Sequence, residues 1–199
     1  MDNALAYIAG KYNPDLGKGT RVDIPKVDRT NLAKLFAELG FTCGAEVGVE
    51  KGSNSIVLCH NIPNLKLFCI DPWRLYRGGG HLQANHIQRR YLTNLKQTLS
   101  SYNVTFIEKL SLDAVRDIPE NSLDFVYIDA NHRFDYIMQD LIEWSRRVKP
   151  GGIISGHDYC SATPGVITAV DAYIEAHNIP NFFVIMPDSW PSYFWVKQE

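Results

Sequence analysis

Long hydrophobic runs are absent from this 199-residue sequence. No stretch approaches the roughly 18 consecutive apolar residues of a membrane-spanning helix, and residues 1–14 lack the basic segment and apolar core of a secretory signal. The four cysteines include no CxxC pair and no spacing typical of a zinc site, so we expect them to be reduced, small apolar side chains. These absences predict a cytoplasmic protein without a membrane segment.

An excess of charge of one sign is missing too. Twenty Lys and Arg stand against 22 Asp and Glu, which gives a net charge of −2 and argues against an electrostatic nucleic-acid binder. The expected partner is therefore a small-molecule substrate, and association into a homo-oligomer stays open. The sequence has no internal repeat, and its length is that of one domain. Its hydrophobic fraction of 45% is typical of globular proteins.

What the sequence does contain is an alternation of apolar, strand-like runs with helical patterns. Strand-like runs cover residues 45–49, 65–70, 104–107, 123–128 and 152–155. The clearest helical patterns follow Thr30-Asn31, follow Asn131, and begin at Pro164. Strands that are apolar throughout and separated by helices indicate a parallel sheet covered on both faces.

Two closely spaced runs near the C-terminus, 182–186 and 193–196, break this alternation. Their connection is too short for a parallel crossover, so the last strand should run antiparallel. The pattern predicts an α/β fold: a Rossmann-like, doubly wound, mostly parallel seven-stranded sheet with an antiparallel C-terminal hairpin strand. Residues 30–199 should form this single domain. Residues 1–29, rich in Gly, Pro, Lys and Asp, should form an irregular N-terminal arm.

A glycine-bearing loop and an acid mark the ends of the first two strands of this predicted domain. Gly48 and Gly52 follow Glu46, and Asp71 ends the next strand, where a carboxylate can accept hydrogen bonds from both hydroxyls of a ribose. These residues fit a nicotinamide cofactor or S-adenosylmethionine (SAM). The glycine spacing is wider than GxGxxG, and Glu46 is unfavourable near a pyrophosphate, so SAM is favoured. An NAD-dependent oxidoreductase and a catalytically silent SAM-binding protein remain alternatives.

Ionisable residues follow the next two central strands. Asp129 and His132 follow one, and His157 and Asp158 follow the other. Because carboxyl ends of parallel strands open onto one cleft, Asp129, Asp158 and His157 are candidate ligands of one cation. Carboxylates suit Mg²⁺, and a histidine shifts the preference towards Mn²⁺, Fe²⁺ or Zn²⁺. Adjacent strand residues point to opposite sides, so His157 and Asp158 can act together only where the strand has already ended.

The motif Glu46-x-Gly48-x-x-x-Gly52, together with Asp71 and the strand 123–129, resembles the signature strands of class I SAM-dependent methyltransferases. The resemblance implies that these four residues contact SAM. It also implies that Ser111 lies near the adenine. Further candidate cofactor contacts are Ser53, Ser55, Trp73 and Asp129.

The spacing of Asp129, His132, His157 and Asp158 is similar to that of metal-dependent O-methyltransferases acting on sugar or catechol hydroxyls. The resemblance implies that Asp129, His157 and Asp158 hold a divalent cation (Mg or Mn) and that His132 is the general base. The unperturbed pKa of a histidine, about 6.5, suits it to take the hydroxyl proton. His157 departs from the family, which has an acid there. We therefore expect a SAM-dependent methyltransferase acting on a hydroxyl of a small molecule, assisted by a divalent cation.

The segment 73–81 carries three consecutive glycines, Gly78 to Gly80, beside aromatic and basic residues. It is interpreted either as a lid over the cleft or as a simple exposed loop.

Overall fold

The computed structural model describes residues 2–14, 16, 21–76, 78, 83–186 and 190–198. The helices are α1 (Asp2–Tyr12), α2 (Arg29–Glu38), α3 (Ser53–Asn61), α4 (Asn85–Thr98), α5 (Ser111–Ala114), α6 (Phe134–Ser145) and α7 (Pro164–Ala176), with a 3₁₀ turn at Val115–Asp117. The strands are β1 (Arg21–Pro25), β2 (Cys43–Val47), β3 (Lys66–Ile70), β4 (Asn103–Ile107), β5 (Leu123–Ile128), β6 (Val148–Gly156), β7 (Phe182–Met186) and β8 (Ser192–Val196). Among these residues, no helix is long and apolar enough to cross a membrane.

The strands form one sheet in the order β1-β7-β8-β6-β5-β2-β3-β4. Strand β8 runs antiparallel to both of its neighbours, and all other pairs are parallel. The doubly wound sheet and its reversed C-terminal strand are confirmed. The described sheet has eight strands, one more than the sequence predicted.

The additional strand is β1, which comes from the segment expected to be irregular. It pairs in parallel with β7, from Arg21 beside Phe182 to Pro25 beside Met186, and its side chains alternate between exposed and buried. Helix α1 buries Ala4 and Ile8. The expectation of an irregular conformation was therefore wrong for Asp2–Tyr12 and Arg21–Pro25. Two buried residues in a five-residue edge strand are a weak signal within a Gly- and Pro-rich segment.

Two apolar cores lie on opposite faces of the sheet. The first gathers α1 to α4 through residues such as Phe36, Leu58 and Leu95. The second gathers α5 to α7 through residues such as Trp144 and Val170. With both faces covered, the open edge at the carboxyl ends of the parallel strands is where a ligand crevice forms.

Local signals explain two of the helix starts. Helix α2 begins at Arg29, before the predicted Thr30-Asn31 cap, because the Asp28 side chain accepts the Asn31 N–H while the Asn31 side chain accepts the Asp28 N–H. Helix α7 begins at Pro164, as the sequence predicts, because proline needs no partner for a backbone N–H in the first turn.

Candidate active site

The loop after β2 depends on two glycines in the left-handed region. Gly48 has φ +89°, and a Cβ there would lie 2.1 Å from the carbonyl oxygen of Asp129. Gly52 has φ +83° and stands at the start of α3, where a Cβ would lie 2.3 Å from the Leu95 side chain. Only glycine fits either position without displacing a neighbour. The loop consequently turns close against β5 and α4.

Glu46 lies beneath this loop rather than on its surface. Its side chain is 2% exposed, and it accepts a hydrogen bond from the hydroxyl of Ser55, which is 0% exposed. Burial raises the pKa of Glu46 to about 8. The pair ties β2 to α3 beneath the loop, and the predicted contact of Glu46 and Ser55 with the cofactor stays a prediction. Ser53, at the first position of α3, is exposed, and its predicted contact with the cofactor stays a prediction.

Asp71 follows β3 and is held by backbone N–H groups on both oxygens. Glu50 N donates to Oδ2 at 2.9 Å and Trp73 N donates to Oδ1 at 2.7 Å. Burial raises the pKa of Asp71, and these hydrogen bonds oppose the rise. Each carboxylate oxygen has a second lone pair for a ligand hydroxyl.

Trp73 supports the glycine loop from the protein interior. Its backbone has φ +41°, its side chain is 0% exposed, and its Nε1 donates to the Glu50 carbonyl at 2.8 Å. The prediction that Trp73 itself contacts the cofactor does not fit an indole with no accessible surface. The left-handed backbone turns the side chain inward, which its position in the sequence did not indicate.

The Ser111 hydroxyl makes hydrogen bonds within the protein. Its hydroxyl donates to Asp140 and accepts from Trp144 Nε1 at 2.8 Å. Burial raises the pKa of Asp140 to about 7. Sequence reasoning missed Asp140, although an acid within the apolar stripe of α6 is a recognisable signal. The predicted adenine contact of Ser111 remains a prediction.

A cluster of ionisable side chains lies where β5 and β6 end. His132 Nε2 lies 3.0 Å from Asp158 Oδ2 and 3.7 Å from Asp129 Oδ1. His157 Nδ1 lies 2.7 Å from Asp158 Oδ1 and 3.6 Å from Asp129 Oδ2. The structure thus brings together all four residues that the sequence placed at the ends of these two strands.

His157 and Asp158 can act together because β6 ends at Gly156. Asp158 then adopts φ +62°, which turns its carboxylate towards His132 while the preceding imidazole stays in contact. The condition set by the sequence, that the strand must end before both side chains can meet, is fulfilled.

Mutual attraction sets the protonation of this cluster. The carboxylates of Asp129 and Asp158, which accept hydrogen bonds from the charged imidazole, raise the pKa of His132 to about 10. Burial favours a higher pKa for Asp158, but His132 and His157 outweigh it and lower the pKa. In this form of the protein His132 is an imidazolium at neutral pH. The pKa of His132 therefore lies well above the unperturbed histidine value, because two carboxylates face one imidazole.

The same cluster offers a set of metal ligands. One donor atom each from Asp129, His132 and Asp158 lies within 4.8 Å of the other two. Two carboxylates and an imidazole match the ligands of divalent cations such as Mn²⁺. The predicted set contained His157 in place of His132, and His157 Nδ1 also lies close to both carboxylates.

This fold and site are those of the class I methyltransferases. The sheet is open with a reversed last strand, a glycine turn follows β2, and an acid, Asp71, follows β3. A family model described as a methyltransferase domain matches residues 45–159, and the chain belongs to this family. The protein is a SAM-dependent methyltransferase. This assignment speaks against the NAD-dependent oxidoreductase and the silent binding protein.

Three similar proteins illustrate the range of this fold. An uncharacterized protein of Acanthamoeba polyphaga mimivirus is 24% identical over 176 residues, which cover 85% of this chain and 76% of that protein. The structure of the O-methyltransferase NovP has a TM-score of 0.65 at 18% identity, covering 86% of this chain and 80% of that one. A precorrin-6y methyltransferase from Geobacter metallireducens has a TM-score of 0.61 at 17% identity, covering 85% and 87%. At these identities the two structures show a shared fold.

Proposed function

We propose that this methyltransferase transfers the methyl group of SAM to a hydroxyl of a small molecule, assisted by a divalent cation. The observation that carries the proposal is the Asp129, His132 and Asp158 cluster, whose donor atoms converge at the ends of β5 and β6. Strand β5 neighbours β2, so the cluster adjoins the glycine loop. The fold shared with NovP, an O-methyltransferase, supports the choice of an oxygen acceptor.

The residues of the cluster fit a cation in number and kind. Asp129 and Asp158 would hold it, with the imidazole of His157, which lies beside both carboxylates, as a third ligand. A divalent cation, when bound, supplies a Lewis acid that lowers the pKa of a hydroxyl. Two carboxylates partly removed from water need a positive partner, and His132 is that partner in the present structure.

SAM, when bound, supplies a methyl group already activated by its sulfonium. The remaining work falls to the protein. The glycine loop lets the nucleoside approach the backbone, and Asp71 can accept hydrogen bonds from its ribose. The acceptor hydroxyl must then be held in line behind the methyl carbon. As the oxygen–carbon bond forms and the carbon–sulfur bond breaks, the hydroxyl proton passes to His132 Nε2. His132 can accept it at neutral pH only when another positive charge neutralises Asp129 and Asp158, because these carboxylates otherwise keep the imidazole protonated.

Methyl transfer to a panel of acceptors tests the proposal. The protein is incubated with SAM carrying a deuterated methyl group and with catechols, polyols and glycosides, alongside thiol and amine analogues. Mass spectrometry then measures labelled products before chelation, after chelation, and after Mg²⁺ or Mn²⁺ is restored. We expect labelled ethers, a loss on chelation and recovery with metal. Labelling of thiols or amines alone would overturn the hydroxyl assignment, and full activity after chelation would overturn the role of the cation.

Two variants assign the cluster. Asp158→Asn should weaken binding of the cation. It should leave the affinity for S-adenosylhomocysteine (SAH), the demethylated product, nearly unchanged. His132→Ala should slow transfer about a hundredfold or more. The control is Asp135→Asn, an exposed acid on α6, which should leave both properties intact.

A further inference from the structure

We propose that Asn131 is a positioning residue that holds the segment after β3 across the nucleoside crevice and so slows release of the bound nucleoside. The segment, here called the strap, consists of residues 73–76 and Gly78. The inference rests on the nucleoside site of the proposed function. It concerns Asn131 and Gly78, to which neither the chemistry nor the family assignment gives a role.

The central contact is a hydrogen bond from Asn131 Nδ2 to the carbonyl oxygen of Gly78, at 2.8 Å. Asn131 is 9% exposed, so its amide is largely removed from water. The side chain also lies within hydrogen-bonding reach of Tyr76, in the same strap. Its Oδ1 accepts the N–H of Arg133 at 3.1 Å, which fixes the amide orientation. The amide nitrogen and the amide oxygen of Asn131 therefore bond different partners.

Strand order makes this contact a bridge. Asn131 lies just after β5 and Gly78 lies after β3, and β2 stands between these two strands. For Gly78 to reach Asn131, the chain that leaves β3 must cross about 10 Å, past the carboxyl end of β2. The glycine loop begins at that end. The strap thus passes over the place where the nucleoside is expected.

The strap is anchored at its other end as well. Trp73 Nε1 donates to the Glu50 carbonyl on the glycine loop at 2.8 Å. Leu75 N donates to Asn85 Oδ1, at the first residue of α4, at 2.7 Å. The two anchors and the Asn131 bond attach the strap to three elements that surround the crevice. Of these contacts, the Asn131 bond is the one made by the loop that carries Asp129 and His132.

Gly78 is suited to this position by its lack of a side chain. It has φ +89°, and a Cβ would lie 2.2 Å from the Tyr136 hydroxyl of α6. A residue other than glycine would push the strap away from α6 and lengthen the bond to Asn131. Adding a single methyl group at residue 78 is therefore enough to disturb the packing of the strap against α6.

The experiment measures release of SAH, so it requires no knowledge of the methyl acceptor. Asn131→Asp keeps an oxygen for the Arg133 N–H but faces the Gly78 carbonyl with a carboxylate, so it breaks the hydrogen bond to Gly78. We expect the dissociation rate of SAH in stopped-flow measurements to rise about tenfold, and its Kd in calorimetry to rise by a similar factor. The melting temperature should stay within about 2 °C of the wild type.

Gly78→Ala tests the same bridge without a change of charge. It should also accelerate release of SAH. Adding Tyr136→Phe to Gly78→Ala should partly restore the wild-type rate, because it removes the atom nearest to the new Cβ. The double variant Asn131→Asp/Gly78→Ala should release SAH no faster than the faster single variant, since both changes break one contact.

Unchanged release in Asn131→Asp and Gly78→Ala would overturn the proposal, and so would tighter binding, which would mean that the strap occupies the place of the nucleoside. Additive effects in the double variant, or a lower melting temperature with unchanged release, would reduce Asn131 to a structural residue. A wild-type protein that binds no SAH would be a different result. It would remove the nucleoside site of the proposed function itself, and this inference with it.

Discussion

The hydroxyl of Tyr127 lies 2.8 Å from Ser192 Oγ in the protein interior, where it joins β5 to β8. Tyr193, the next residue along β8, is equally buried, but its hydroxyl has no hydrogen-bond partner among the described residues. Two buried tyrosines in one sheet thus differ in whether their polar atom is satisfied. This contrast leads to a direct test of what a buried hydroxyl contributes.

Tyr127→Phe should lower the free energy of unfolding by about 1 kcal/mol, because it leaves the Ser192 hydroxyl without a partner. Tyr193→Phe should be neutral or stabilising, because it removes a desolvated hydroxyl without breaking a hydrogen bond of the described structure. Urea unfolding of the two variants measures both values. Equal losses in the two variants would contradict the difference in partnering.

Stability should depend on pH through Asp140. Burial raises the pKa of this carboxyl to about 7 in the folded protein, whereas an exposed Asp has a pKa of about 3.9. Between these values the folded protein keeps a proton that the unfolded chain has lost, so stability falls as pH rises from about 4 to about 7. Asp140→Asn lacks this penalty. Its advantage in free energy of unfolding should grow to roughly 4 kcal/mol above pH 8.

Thermal unfolding of wild type and Asp140→Asn at intervals from pH 4 to pH 9 measures this growth. The control is Asp135→Asn, because Asp135 lies exposed on the same helix. It should show no such change above pH 5. A constant difference between Asp140→Asn and the wild type across the range would mean that the carboxyl is not protonated in the folded state.

Gly48 of the glycine loop and Gly151 of β6 have similar backbone angles but different surroundings. Gly48 has φ +89° and would bring a Cβ within 2.1 Å of the Asp129 carbonyl, whereas Gly151 has φ +80° and no atom within 4 Å of a Cβ. Gly151→Ala should cost only the left-handed strain of about 1 kcal/mol. Gly48→Ala should cost more and weaken SAH binding at least about tenfold, because the clash moves the loop.

Calorimetry with SAH and urea unfolding separate these two effects. Gly151 lies within β6, on its amino-terminal side, so Gly151→Ala should bind SAH as the wild type does. If Gly48→Ala also bound normally, the loop after β2 would not be the nucleoside site.

Periodicity and strand spacing were enough to predict the sheet, its reversed last strand and the edge where the site lies. They worked because buried strands and the α6 stripe repeat over many residues. Features decided by a single backbone angle were not predictable. Trp73 at φ +41° turns into the core, and Asp158 at φ +62° turns towards His132. Pairing between β1 and β7 joins segments far apart in sequence, and a five-residue strand carries little local signal of it.

Protonation of His132 is the property of the site most directly open to measurement. Asp129 and Asp158 raise its pKa to about 10, chiefly by hydrogen bonding to the charged imidazole. In metal-free protein, nitrogen-detected NMR titration should find His132 still protonated at pH 8. Asp158→Asn should bring the pKa down towards the ordinary value of about 6.5, because it removes the partner at 3.0 Å. Saturation with Mg²⁺ or Mn²⁺ should lower it as well, since the cation competes with the imidazolium for the same oxygens. A wild-type His132 that titrates near pH 6.5 without metal would mean that the two carboxylates do not hold it, and the compact cluster would not be the resting arrangement.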